Sequence, residues 1–172
     1  DGRMELVIGG RWYENSGDIL TDPWTEHVFA EWPVDAVVKV ADMNANGRLD
    51  VILTRSEGHH QLSWFEQPGA GAGGAWAEHV VDDDVDFAHG LVICDLTGDG
   101  RPDIVTAEMH QSPRKRVLVY TNQGEYRWAR QVLAETGSHN ICVADVTGTG
   151  RLAIIGANWS GGHQPVELWQ VE

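Results

Sequence analysis

The chain has 172 residues, with 12 Lys and Arg against 26 Asp and Glu and a formal charge of −14. That balance repels nucleic acid and anionic membrane and suits cations or neutral ligands, and no apolar stretch is long enough to cross a bilayer. Twenty glycines and few long apolar runs favour many short strands over helices in one modest domain.

In chain order the first predicted strands lie at 5–10, 11–15 and 26–30. Short Val- and Ile-rich runs then follow at 37–41, 51–54, 62–66 and 77–81, and again at 91–94, 104–107, 117–121 and 127–133. A last set covers 141–144, 153–157 and 167–171. Between the first two strands of each later set sits a nine-residue acidic stretch: Asp42 to Asp50, Asp95 to Asp103 and Asp145 to Ala153, spaced by 53 and 50 residues. Trp24, Trp76 and Trp128 keep a spacing of 52, as do Trp12-Tyr13-Glu14 and Trp64-Phe65-Glu66. A period near 50 with four strands in each copy predicts an all-β fold of four-stranded antiparallel blades, a β-propeller. This chain supplies about three and a half blades, at 1–33, 34–83, 84–136 and 137–172. The first blade lacks its first strand and the last lacks its fourth. The chain opens inside a repeat, as a segment of something longer would.

The first two acidic stretches carry oxygen-bearing side chains at positions 1, 3, 5 and 9 with glycine at 6, the pattern by which a short loop wraps a hard cation such as Ca²⁺. Position 12 of the Asp95 stretch is Thr106 where an EF-hand needs Glu, and the flanks are strands. The third stretch replaces the acids at 5 and 9 with Thr149 and Ala153 and is expected to stay empty. Asp1 and Glu5 form half of such a stretch.

If these loops join strands 1 and 2, they share one face of the ring, and the opposite face collects the histidines. His89 and His139 each stand six residues before the first Asp of a loop, at equivalent places on adjacent innermost strands. They are expected to point at a common centre or a shared ion. His59, His60, His110 and His163 fall in connections between strands 2 and 3, with Glu57 and Glu108 nearby. Trp32 and Trp159 map to the same face, where an exposed indole could stack on a sugar ring. His27 and His79 repeat at one strand-4 register and read as structural, as do the six in-register tryptophans. Cys94 and Cys142 read as two buried thiols, with a disulfide between blades as the lesser option.

The segments Val40-Ala41-Asp42 with Asp50-Val51-Ile52, and Ile93-Cys94-Asp95 with Asp103-Ile104-Val105, resemble FG-GAP/VCBS repeats over nearly the whole chain. Within that superfamily the Trp-Phe-Glu-Gln-Pro and Trp-x-x-His-Val stretches look most like propellers of aldos-2-ulose dehydratase-type sugar-processing proteins. The resemblance implies bound Ca²⁺ and an extracellular or periplasmic location. It assigns as ligands the side chains of Asp42, Asn44, Asn46 and Asp50 with the Arg48 carbonyl, and those of Asp95, Thr97, Asp99 and Asp103 with the Arg101 carbonyl.

Two functions are expected from different classes. One is a calcium-stabilised binding or scaffold module for a carbohydrate or protein partner, with His89, His139, His110, Trp32 and Trp159 as ligand-binding candidates. The other is a sugar dehydratase or polysaccharide lyase in which His89 or His139 removes a proton and a metal or Glu108 stabilises the enolate. With incomplete blades at both ends, the chain is expected to self-associate or to belong to a longer propeller.

Overall fold

The computed structural model describes residues 2–69, 75–158 and 165–171, and its described residues form fourteen strands. They make four antiparallel sheets. Blade 1 holds β1 (Leu6–Ile8), β2 (Arg11–Glu14) and β3 (Thr25–Val28). Blade 2 holds β4 (Ala36–Ala41), β5 (Asp50–Arg55), β6 (His59–Glu66) and β7 (Ala77–Asp86). Blade 3 holds β8 (Ala88–Cys94), β9 (Asp103–Glu108), β10 (Val117–Asn122) and β11 (Trp128–Ala134). Blade 4 holds β12 (Asn140–Ala144), β13 (Ala153–Ala157) and β14 (Val166–Trp169). Strands follow one another in sheet order, as in propeller blades, and the sheets do not close into a ring.

The apolar runs are continuous because both faces of a middle blade are covered. Along β5, Val51 and Leu53 pack with Phe65 against blade 1 residues Val7, Phe29 and Trp32, whereas Ile52 between them faces blade 3. The same alternation puts Ile104 of β9 against blade 2 and Val105 against blade 4. The seam between blades 2 and 3 is the largest, with Ile52, Leu62 and Trp64 meeting Ile104, Leu118 and Tyr120. Each such side chain contributes about 1.5–3 kcal/mol by leaving water.

Two expected boundaries move. Strand β7 runs on to Asp86, beyond the expected end at 81 and across the blade limit at 83, because His59 and His60 belong to β6 and pair with Asp86 and Val85. They are therefore strand residues, not part of the β5–β6 connection. Both cysteines are free, and Cys142 is exposed where burial was expected. Cys94 is half-buried, and burial together with Asp103 and Asp95 pushes its thiol up to about 11.

Candidate functional site

The Asp42 loop joins β4 to β5, the Asp95 loop β8 to β9 and the Asp145 loop β12 to β13, so all three lie on one face. In each, the first Asp gathers backbone N–H groups: Asp42 accepts from Asn46 and Gly47, Asp95 from Gly98, Asp99 and Gly100, and Asp145 from Thr147, Gly148, Thr149 and Gly150. The N–H of Gly150 leads the interactions that hold the Asp145 carboxyl below the usual carboxylate range. The ninth-position Asp is fully buried where it is present. Asp50 accepts from Met43 N and Gln67 N at 3.0 Å each, and Asp103 accepts from Leu96 N, Thr97 N and Asn122 N. Burial pushes the Asp50 carboxyl up, and nearby Glu66 and Asp42 add to the rise.

The loops differ as hosts for a cation. In the Asp42 loop the donor set is all oxygen, and Asn44 Oδ1 is buried with no hydrogen-bond partner among the described residues, so the residues fit a hard divalent ion. In the Asp95 loop the side-chain oxygens are also in place, but Asp99 is ion-paired with Arg101, which a bound ion would have to displace. In the Asp145 loop Thr147 and Thr149 hydroxyls bond each other at 2.7 Å beside a single carboxylate, a poorer fit. Among the described residues no three His, Cys, Asp or Glu side chains converge to hold a metal, so an ion in these loops would draw on Asn, Thr and carbonyl oxygens as well.

On the opposite face His89 and His139 meet with ring centroids 4.1 Å apart at 29°. Three local features bring them together. His89 is the extra residue of a bulge, since Ala88 pairs with Glu108 and Gly90 with Ala107. Phe87 just before it has φ of 46°, and its carbonyl accepts from both His89 N and Met109 N. A Cβ at Gly90 would come within 2.8 Å of Ile141 Cγ1, so glycine here leaves room for that side chain of β12. Desolvation first, and His89 second, lower the pKa of His139, which also feels His110 and Glu57. The expected mutual reach is therefore present. The shared ion is not supported: lone pairs lie in the ring planes, and stacked planes direct them alongside one another.

Two other candidates on this face are corrected. Glu108 is fully buried, bonded by Arg116 N and Nε, Ser112 Oγ and Asp86 N, and ion-paired with Arg116. Burial alone would raise its pKa, but these bonds outweigh it and hold the carboxyl low, so it secures β9 to β10 and is not offered to a substrate. Trp32 is half-buried in the seam between blades 1 and 2, 4.5 Å from His60 and edge-on to Phe65 at 5.7 Å, with its Nε1 buried. Its indole is committed to packing. Trp159, His163 and Asp1 lie outside the described residues.

An aromatic concavity that the sequence reading missed lies on the other face. A cleft of about 390 Å³ opens between the Asp42 loop of blade 2 and the β10–β11 hairpin of blade 3. Trp64, Tyr126 and Trp128 line it together with Asn44, Asn122 and Glu125. Tyr126 is 56% exposed and sits at φ 62°. His79 stacks with Tyr126 at 4.5 Å and with Trp64 at 4.2 Å, Tyr126 and Trp64 themselves lie 5.8 Å apart at 14°, and the His79 Nε2 is 3.1 Å from Glu66 Oε2. Blade 1 repeats part of this, with His27 stacked on Trp12 at 4.0 Å and 3.0 Å from Glu14. The available signal was the aromatic residue Tyr126 in a turn, four residues after the end of a buried strand.

Comparison with known proteins agrees with this geometry. A family model for the FG-GAP-like repeat matches residues 42–106 and 95–155. No curated protein matches the chain. Among solved structures, an Agrocybe aegerita lectin described as recognising non-reducing terminal N-acetylglucosamine is similar at 20% identity with a TM-score of 0.56. The match takes in 95% of this chain and 47% of the lectin, so this chain spans about half of that structure's length. At that identity the likeness speaks for the fold alone. The repeated Asp loops, the blade registers and the family match over most of the sequence together show that this chain belongs to the FG-GAP-like repeat family.

Proposed function

We propose that this chain is a calcium-stabilised β-propeller segment that binds carbohydrate in the cleft between blades 2 and 3. One observation carries the reading: an exposed Tyr126 ring, stacked on His79, walls a 390 Å³ cleft that also offers Glu125. A sugar ring presents C–H groups to an aromatic face and hydroxyls to amides and carboxylates, so this mixture suits a neutral saccharide. The lectin is described as recognising non-reducing terminal N-acetylglucosamine, which makes that sugar the first to try. Screening the protein against a panel of immobilised glycans is the test: retention of at least one neutral saccharide class supports the reading, and no retention across the panel contradicts it. Secretion to an extracellular or periplasmic space belongs to the same reading.

A second ligand site on the histidine face is favoured by the bulge, the strained Phe87 and the Gly90 contact, which together bring His89 against His139. A neutral His139 could serve there as a base in a dehydratase or lyase reaction, although Glu108 is engaged elsewhere. Loss of unsaturated-sugar formation in the double variant His89→Ala/His139→Ala would support catalysis; no turnover by the unaltered protein would remove it. Covering of the outer faces of blades 1 and 4, by a second copy or by further blades, is part of the same proposal, and sizing in solution tests self-association.

A further inference from the structure

The two complete acidic loops have different backing. Gln67 and Asn122 occupy one register, since each donates its N–H to the ninth-position Asp and accepts from the loop arginine, Arg48 Nε at 3.1 Å and Arg101 Nε at 2.8 Å. One residue earlier stand Glu66 in blade 2 and Thr121 in blade 3. Glu66 Oε1 accepts Asn44 Nδ2 at 2.8 Å and Asn46 Nδ2 at 3.4 Å and lies 3.8 Å from Arg48 Nη2, so one carboxylate oxygen sits among positions 3, 5 and 7 of the loop. Asn44 meanwhile keeps its Oδ1 buried and unpartnered. Half a turn about the last side-chain bond exchanges Oδ1 for Nδ2 in an amide. With Asn44 so turned, its oxygen and Glu66 Oε1 would face one place as two adjacent hard ligands, while Asn46 keeps its Oδ1 on the Arg48 N–H at 2.9 Å.

We propose that Glu66 is a further ligand of the cation in the Asp42 loop and that it makes this loop the tighter of the two. The inference rests on the calcium reading above. Its second consequence follows from the other carboxylate oxygen: Oε2 holds His79, and His79 props Tyr126, so filling the loop repositions the wall of the cleft. Cation and saccharide then alter each other's binding by the same factor. Glu14 is the internal control, for it makes the same contact to His27 in a blade whose loop is only half present.

The experiment is a calcium titration by calorimetry of the unaltered protein, Glu66→Gln and Glu14→Gln, with near-ultraviolet circular dichroism followed in parallel. Two unequal sites are expected, with Glu66→Gln weakening the tighter at least about tenfold, the effect of a lost ligand, while the weaker site and the Glu14→Gln protein are unchanged. The calcium-induced change in the aromatic dichroism should disappear in Glu66→Gln alone. Identical isotherms for Glu66→Gln and the unaltered protein, or equal weakening of both sites, overturn the inference and leave the calcium reading standing. Absence of any calcium uptake by the unaltered protein overturns both.

Discussion

The seam between blades 1 and 2 and the outer face of blade 1 are built from one pattern and end in opposite environments. Leu6, Val7 and Ile8 pair with Tyr13, Trp12 and Arg11 as Val51, Ile52 and Leu53 pair with Phe65, Trp64 and Ser63, so the two triplets share a register. Val51 and Leu53 are 2% and 0% exposed, whereas Leu6 and Ile8 are 51% and 61% exposed. Blade 4 shows the reverse side of the same contrast: Leu168, which pairs with Ile155 as Val119 pairs with Val105, is 53% exposed. An apolar strand run in a propeller is thus specified by its place in the blade and buried only by the next blade. Among the described residues no further sheet covers these exposed runs.

The largest expected effect is inside a seam. Leu53→Ala should cost about 2–5 kcal/mol in denaturant unfolding, while Ile8→Ala at the same register should stay within about 0.5 kcal/mol for an isolated chain. A large cost for Ile8→Ala would mean that the outer face is covered in solution. Next comes the buried ion pair. Arg116→Ala strands the Glu108 carboxylate and should cost about 3–5 kcal/mol, against less than about 1 kcal/mol for Arg127→Ala, whose partner Glu125 is 85% exposed.

Smaller effects come from titration. Hydrogen bonding from Arg114 leads the interactions that hold half-exposed Asp84 at about 2, so its contribution is complete above the unfolded value near 3.9 and is lost as pH falls toward the folded one. Arg114→Gln should flatten that part of the acid-unfolding curve. His139, held low by burial and by His89, favours the neutral form; its contribution is full above roughly pH 6.5 and declines as pH drops through its folded pKa. Replacement by Gln should make melting temperature less sensitive to pH between neutrality and mild acid; an unchanged dependence would place the sensitivity elsewhere.

Repeat spacing carried most of the fold because every strand faces the same task in every blade: the four sheets of three, four, four and three strands follow from the Asp loops and the 52-residue Trp spacing. Strand ends were less legible. His59 and His60 look like loop residues in sequence, yet a long β7 reaches back to pair with them. The meeting of His89 with His139 was legible from equivalent positions on adjacent strands, and the roles of Glu108 and Trp32 were not. Their environments depend on Arg116 and Phe65, eight and thirty-three residues away, and no spacing announces those contacts. The aromatic cleft was hidden for a related reason, being assembled from two blades, so that neither repeat contains it whole.

The ligand face proposed for this chain is the loop side, at Tyr126, and the decisive measurement is a paired saccharide titration of Tyr126→Ala and of His89→Ala/His139→Ala, using a glycan retained by the unaltered protein. Tyr126 is exposed in a turn, so its truncation should leave the fold intact while binding falls at least about tenfold, the loss of roughly 1.4 kcal/mol, and the histidine variant should bind as before. Undiminished binding by Tyr126→Ala, with binding lost in the histidine variant, would contradict the account and move the site to the opposite face.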